Sequence, residues 1–215
     1  MHPSDCPAWE YANHPKREEI LKQRTLDILR GLYEQTFDSL EIAADSREIH
    51  RYLFGLLTPR EEVYFAGHYR GEDFPCLKYY EVIIPGDYRV GFPSAIVVAQ
   101  MEILEEEIRE GIKSLDTIHQ TPNDQISPED KLINSVIFAC GVFYTVLRIH
   151  PYANGNGHAA RFILWAILGR YGYWPLKFPI EPRPDYPLYT QAIEEYGNGK
   201  PELLQNYILQ CIIGD

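Results

Sequence analysis

The stretch KLINSVIFACGVFYTVLRIHPYANGNGHAARFILWAIL, residues 131–168, holds two apolar segments joined by a short polar one. Each apolar segment is apolar on nearly every side of a helix, which predicts two helices buried in the core. Pro151 disfavours helical geometry at His150, so we expect the first helix to stop near Ile149. The second helix should begin at the end of the polar segment. Residues 150–161 therefore form a loop between two core helices, with two glycines, two asparagines, two histidines and no acid.

Further helices are predicted on both sides of this pair. Apolar residues recur at helical spacing in five other segments: residues 16–37, 46–57, about 94–115, 186–197 and 201–213. Ser46 is a predicted N-cap, and Ser127 followed by Pro128 predicts the start of the first core helix. Two β-rich runs around the turn at Pro85 predict a hairpin spanning roughly Leu77 to Phe92. The expected fold class is mainly α with one small hairpin.

Composition excludes several classes of protein. The 215 residues carry a formal net charge of −11, which argues against a nucleic-acid binder because phosphate backbones are held by clustered Lys and Arg. The apolar share of 45% is ordinary for a globular protein, and no apolar run is expected to span a membrane. Four cysteines without paired spacing predict buried thiols in a reducing cytoplasm: Cys6, Cys76, Cys140 and Cys211. The N-terminal residues show no secretory signal.

The loop has the chemistry of an anion site. It ends at a helix N-terminus, where free amides and the helix dipole favour a phosphate, and Gly155 and Gly157 let that backbone approach a ligand closely. Asn156 can donate to a phosphate oxygen or pin the loop. His158 and Arg161 lie three residues apart on one helix face and can reach further phosphates.

The other histidine of the loop, His150, could remove a proton from an attacking hydroxyl. Structural interpretations stay open, because a Gly-Asn-Gly turn between helices is common and the chain has a second one at residues 197–199. A metal pair of His150 and His158 lacks a third ligand nearby.

The loop HPYANGNGHAAR resembles the Fic motif, His-x-Phe-x-Asp/Glu-Gly-Asn-Gly-Arg-x-x-Arg. The matching positions are His150, Gly155, Asn156, Gly157 and Arg161, with Tyr152 in place of the phenylalanine. The segment AGHYRG, residues 66–71, also looks like the family's entry to its hairpin. The resemblance implies a Fic/Fido helical core with a β-hairpin flap in residues 61–215, preceded by a helical extension, residues 1–60, that packs on it.

The resemblance further implies a protein adenylyltransferase that moves AMP from ATP to a Ser, Thr or Tyr hydroxyl of a target protein. His150 would be the general base. Nucleotide and phosphate binding would fall to Gly155, Asn156, Gly157, His158, Arg161 and Tyr189, with Tyr186 also near the base. The flap would pair with the target's backbone as an added strand through Tyr80, Glu81, Val82 and Ile83. No nucleic acid or membrane partner is expected.

Two departures from the motif bear on Mg²⁺ and on ATP. Asn154 stands where the family has an acid, so a magnesium site would keep only an amide oxygen. His158 stands where the family has its first Arg and titrates near neutral pH. As an imidazolium it would give a nucleotide affinity that falls between about pH 6 and 8. Both changes weaken the grip on a magnesium-bound triphosphate.

Three interpretations follow from these departures. We favour an active transferase, because the base, the glycine loop and Arg161 are all present. The alternatives are a transferase that uses another nucleotide or phosphate-containing donor, and a module that binds nucleotide or protein without turnover. The family's inhibitory helix, Ser/Thr-x-x-x-Glu-Gly/Asn, has only a partial match at residues 190–194. Inhibition would therefore come from a separate antitoxin-like protein, or be absent.

Overall fold

The computed structural model describes residues 6, 9–82, 90–184 and 187–214. Within these ranges the chain forms eight α-helices and no β-strand, which confirms the mainly helical class. The helices are α1 (Arg17–Tyr33), α2 (Ser39–Ala44), α3 (Arg47–Phe54), α4 (Ser94–Gln120), α5 (Pro128–Ile149), α6 (Asn156–Gly169), α7 (Leu188–Gly197) and α8 (Glu202–Ile213).

Helices α5 and α6 form the central pair, as predicted. Nearly every residue of α6 is buried, and α5 lies between it, α4 and the C-terminal helices α7 and α8. The Ser127 hydroxyl accepts a hydrogen bond from the Asp130 amide at 3.0 Å, so the predicted cap of α5 is confirmed. This helix ends at Ile149, because His150 turns into the left-handed region at φ 54°. The loop therefore begins and ends on rigid, buried helices.

The expectation that no apolar run could span a membrane is wrong for α5 by length and composition. An 18-residue window of this helix has a mean hydropathy of 1.8, with 44% of the window buried. The core helix of a soluble protein passes the same test, so this is weak support for a membrane segment.

The hairpin predicted over residues 77–92 is not formed in its described parts. Leu77–Tyr79 form a 3-10 helix, so the strand expected there is wrong, and residues 83–89 lie outside the described ranges. The two ends of the segment nevertheless lie side by side, since a Cβ on Gly91 would come within 2.7 Å of the Val82 carbonyl oxygen.

The N-terminal part of the chain is more closely tied to the core than its sequence suggested. Helix α2 was not predicted, and it packs on both α4 and α6. Cys6 and Cys76 form a disulfide with their Cα atoms 5.6 Å apart, so the expectation of four free thiols is wrong for this pair. Their separation of 70 residues leaves no local pattern that could have indicated the bond. The boundary at residue 60 stays a prediction.

The Ser46 hydroxyl contacts a core side chain instead of capping α3. Ser46 precedes α3 at the N-cap position but makes no side-chain cap hydrogen bond. Its hydroxyl lies instead 2.8 Å from the Tyr152 hydroxyl, in a fully buried contact. The predicted cap hydrogen bond is therefore wrong. A buried tyrosine hydroxyl needs a hydrogen-bond partner, and Ser46 supplies one to Tyr152.

Candidate functional site

A cavity of about 650 Å³ lies beside the loop and the start of α6. The sequence-predicted residues that line it are His150, Asn154, Gly155, Asn156, Gly157, His158, Arg161 and Tyr189. Residues that the sequence did not single out join them, namely Tyr11, Arg17, Glu181 and Arg183. Tyr186 lies outside the described ranges. The fold thus brings the motif together around one space.

His150 is held as a neutral imidazole. Burial lowers its pKa to about 4. Its Nδ1 lies 3.3 Å from the Leu147 carbonyl oxygen, which can only accept, so the proton belongs on Nδ1. Nε2 then carries a free lone pair at neutral pH. This is the protonation state that a general base needs.

The loop is fixed from within by Asn156. Its side-chain oxygen accepts from the Tyr152 amide, and its side-chain nitrogen donates to the Tyr152 carbonyl, both at 2.8 Å. Of the two roles expected for this side chain, the structure shows the pinning one. Gly155 adopts φ 80°, and a Cβ there would lie 2.5 Å from the Phe54 ring. Glycine is therefore required here by conformation and by packing.

Two backbone amides at the start of α6 remain for a ligand. The Gly155 amide donates to the Asn154 side-chain oxygen at 2.8 Å. The amides of Asn156 and Gly157 donate to no group of the described residues. They precede the first internal bonds of α6, where the helix dipole favours an anion.

Arg161 is a buried cation without a direct ion pair among the described residues, although its charge helps to lower the pKa of Glu181. Its side chain is 2% exposed, and it donates to the Ile180 carbonyl at 2.9 Å and to the Tyr189 hydroxyl at 3.2 Å. No carboxylate of the described residues forms an ion pair with it. Since burial of an unpaired charge is costly, an anion bound in the cavity would stabilise this arrangement.

His158 is paired with an acid that the sequence analysis missed. Its Nε2 lies 2.6 Å from the Glu181 Oε2, and burial lowers the pKa of the imidazole despite this contact. The hydrogen bond from His158 lowers the pKa of Glu181, which stays ionised. The imidazolium expected at this position is therefore not supported, and a neutral N–H donates to a carboxylate instead.

Two more residues that the sequence analysis missed hold the loop in place. His50 accepts from the Gly67 amide at 3.0 Å and lies 2.9 Å from the Asn154 carbonyl oxygen, while its ring stacks on Tyr152. Arg70 is fully buried and donates to four carbonyls, those of Tyr80, Phe92, Ile149 and His150. It joins the base of the flap segment to the end of α5 at His150. Only the resemblance of residues 66–71 indicated this region.

Asn154 does not form part of a dedicated magnesium site. Its side-chain oxygen accepts from Gly155, and its nitrogen donates to the Trp9 carbonyl at 2.8 Å and lies 3.3 Å from the Glu10 carboxylate. No cluster of three His, Cys, Asp or Glu side chains with metal-ligand geometry occurs among the described residues. The described donor set therefore does not fit a hard divalent cation.

The flap residues are described only at their base. The Tyr80 ring packs edge-on against Phe65 at 5.7 Å. The Glu81 carboxylate accepts from the Ser94 amide at 3.0 Å and from its hydroxyl at 2.6 Å. Val82 lies beside Gly91, as described above, and Ile83 is outside the described ranges.

Proteins similar to this chain are named protein adenylyltransferases. Protein adenylyltransferase Fic of Nematostella vectensis is 34% identical over 86 residues, which cover 40% of this chain and 19% of that protein. Protein adenylyltransferase Fic of Drosophila ananassae is 23% identical over an alignment of 253 residues, which covers 92% of this chain and 50% of that protein. Protein adenylyltransferase fic-1 of Caenorhabditis elegans is 34% identical over 64 residues, which cover 29% of this chain and 13% of that protein. No family model matches the chain. The chain spans about half the length of the Drosophila relative and less of the other two.

Proposed function

Because the chain is a divergent member of the Fic family, we propose that it transfers AMP from ATP to a hydroxyl of a target protein. The observation that carries this proposal is Arg161, a buried cation that forms no direct ion pair with a carboxylate of the described residues. It lines the same cavity as a neutral imidazole and the free amides of a helix start. A phosphate chain satisfies the cation and the amides together.

Each residue of the loop and cavity has its own role in the proposed transfer. His150 Nε2 accepts the proton of a Ser, Thr or Tyr hydroxyl as its oxygen attacks the α-phosphorus of ATP. The bond from that phosphorus to the β-phosphate oxygen breaks, and pyrophosphate leaves. The amides of Asn156 and Gly157 stabilise the charge that builds on the α-phosphoryl oxygens. Arg161 binds the outer phosphates, and Tyr189, which accepts from it, orients the guanidinium.

The target hydroxyl would be delivered by the flap segment. Arg70 fixes both ends of this segment next to His150 through the carbonyls of Tyr80 and Phe92. A target backbone that adds a strand at Tyr80 to Ile83 would place its side chain near the imidazole. Control by a separate antitoxin-like protein belongs to the same proposal.

Glu181 favours a second candidate function. Its carboxylate lines the cavity at 2.6 Å from His158, and a like charge there opposes a triphosphate. A donor with fewer charges, or nucleotide binding without turnover, would meet less repulsion. The first of these keeps His150 and Arg161 but changes the donor, and the second keeps nucleotide binding without the transfer.

Two labelled forms of ATP separate the candidates. Purified protein, with and without a lysate as target source, is incubated with ATP labelled at the α-phosphorus or at the γ-phosphorus. AMP transfer predicts covalent label from the α-position alone. Label from the γ-position would indicate phosphoryl transfer instead, and absence of both labels with retained ATP binding would leave the binding module.

A further inference from the structure

Residues 9–17 lie across one side of the cavity and are anchored at several points. The Trp9 side chain is 2% exposed, its indole donates to the Leu57 carbonyl at 2.9 Å, and its ring stacks on Phe65. The disulfide of Cys6 ties down the chain just before it. Because these anchors are buried or covalent, the segment has a defined place beside the loop.

Asn154 is the direct link between this segment and the motif. Its side-chain nitrogen donates to the Trp9 carbonyl at 2.8 Å. An ionised aspartate at this position could only accept, so it would face the carbonyl oxygen and the nearby Glu10 carboxylate without a donor. The amide found here is thus the group that binds residues 9–17, whereas the acid of the family motif would repel them.

The same segment brings two side chains into the cavity. The Tyr11 ring packs against Phe54 at 5.0 Å and edge-on against His158 at 5.8 Å. Arg17, the first residue of α1, lines the cavity with Arg161 and Glu181, and its charge helps to lower the pKa of Glu181. Its ion pair with Glu18 joins a carboxylate that is 82% exposed, and such surface pairs exchange readily for a better partner.

We propose that Arg17 supplies the fixed positive charge that His158 does not, binding the outer phosphates of a nucleoside polyphosphate, and that Asn154 positions the segment carrying it. The two departures from the family motif are then one coupled change, since the amide binds the segment and the segment brings the cation. A guanidinium stays charged at every physiological pH and can grip phosphate with two donors. This inference rests on the proposed function. It adds that Arg17 binds the outer phosphates of the nucleotide.

Calorimetric titration with ATP and with AMP tests Arg17 directly. Arg17→Gln is expected to weaken ATP binding about tenfold, as for loss of one charge-assisted contact, and to leave AMP binding within about twofold. Arg30→Gln is the matched control, because Arg30 is an exposed residue of the same helix outside the cavity. It should leave the affinities for both nucleotides unchanged.

The outcomes separate this inference from the function it rests on. Wild-type protein that binds neither nucleotide would overturn both. Wild-type protein that binds ATP while Arg17→Gln binds it equally well would overturn the inference alone. Equal losses of affinity for ATP and AMP in Arg17→Gln would also overturn it, because Arg17 would then not bind the outer phosphates, which AMP lacks.

A double-mutant cycle tests the positioning role of Asn154. Asn154→Ala removes the donor to Trp9, so the loss caused by Arg17→Gln should shrink to about twofold in that background. Thermal melts of each variant confirm that the proteins compared are folded. Full additivity of the two losses in folded proteins would show that Asn154 does not place Arg17.

Discussion

His158 Nε2 lies 2.6 Å from the Glu181 Oε2, so the acid that the loop lacks comes from the segment that follows α6. Both side chains are largely buried, at 6% and 18% exposure. The imidazole is neutral at physiological pH because burial lowers its pKa, while the carboxylate keeps its charge. A fixed negative charge therefore lies next to the proposed phosphate site, hydrogen-bonded to a neutral imidazole, and the charges of Arg161 and Arg17 also lower its pKa.

Removal of this carboxylate should strengthen nucleotide binding. Glu181→Gln keeps the shape and a hydrogen-bond acceptor for His158 but removes the charge that repels phosphate. We expect the ATP affinity to rise on the order of fivefold, measured by calorimetry at constant salt. Glu202→Gln, at an exposed position on α8, is the matched control. An unchanged or weaker affinity in Glu181→Gln would show that its carboxylate does not face the ligand.

The pH dependence of ATP binding distinguishes the two states of His158. Burial lowers its folded pKa below 6.5, so the side chain is mostly neutral at pH 6.5 and loses little positive charge as the pH rises further. Affinity should vary by less than about twofold between pH 6.5 and 8, with the same profile in His158→Gln. A fall over this range in wild-type protein that is absent from His158→Gln would mean that phosphate is bound by an imidazolium.

Restoring the family acid should destabilise this chain. In Asn154→Asp the Trp9 carbonyl loses its donor and meets a carboxylate, which we expect to cost about 1–2 kcal/mol. For a chain of this size that is a fall of roughly 2–4 °C or more in Tm. Asn206→Asp, on the exposed side of α8, supplies the comparison in differential scanning calorimetry. Equal melting temperatures of wild type and Asn154→Asp would remove the structural reason for the amide.

The Ser46–Tyr152 pair predicts a non-additive stability change. Tyr152→Phe restores the family's phenylalanine but leaves the buried Ser46 hydroxyl without a partner, at a cost of about 1–2 kcal/mol. Ser46→Ala alone should cost less, because the Tyr152 hydroxyl also forms a hydrogen bond with Tyr69. The double variant should lose less than the sum, since neither polar atom is then left unpaired. Strict additivity in chemical denaturation would contradict the hydrogen bond.

The parts of the fold that were predicted are those encoded locally. Helices α5 and α6, the Ser127 cap and the stop before Pro151 follow from apolar spacing and from the geometry of single residues. The loop between them is recognisable because His150 and Arg161 lie within one short window. Sequence pattern is therefore sufficient where neighbours along the chain are also neighbours in space.

The parts that were missed depend on distant segments. Arg70 binds carbonyls up to 80 residues away, and the Asn154 amide binds a residue 145 positions away. His50 and Glu181 likewise reach the loop from elsewhere in the chain. Periodicity and capping rules contain no information about such pairs, so the partners that set the charge and shape of the site appear only in three dimensions.

The central claim is that His150 acts as a base on a hydroxyl while the loop and Arg161 hold the nucleotide. Intact-mass spectrometry after incubation with ATP and a target source, together with ATP calorimetry, measures both parts for wild type, His150→Ala and Gln210→Ala, a control at an exposed position of α8 outside the cavity. The account predicts that all three bind ATP with similar affinity, and that only His150→Ala fails to add AMP. Equal adduct formation in wild type and His150→Ala, or no ATP binding by any of them, would contradict it.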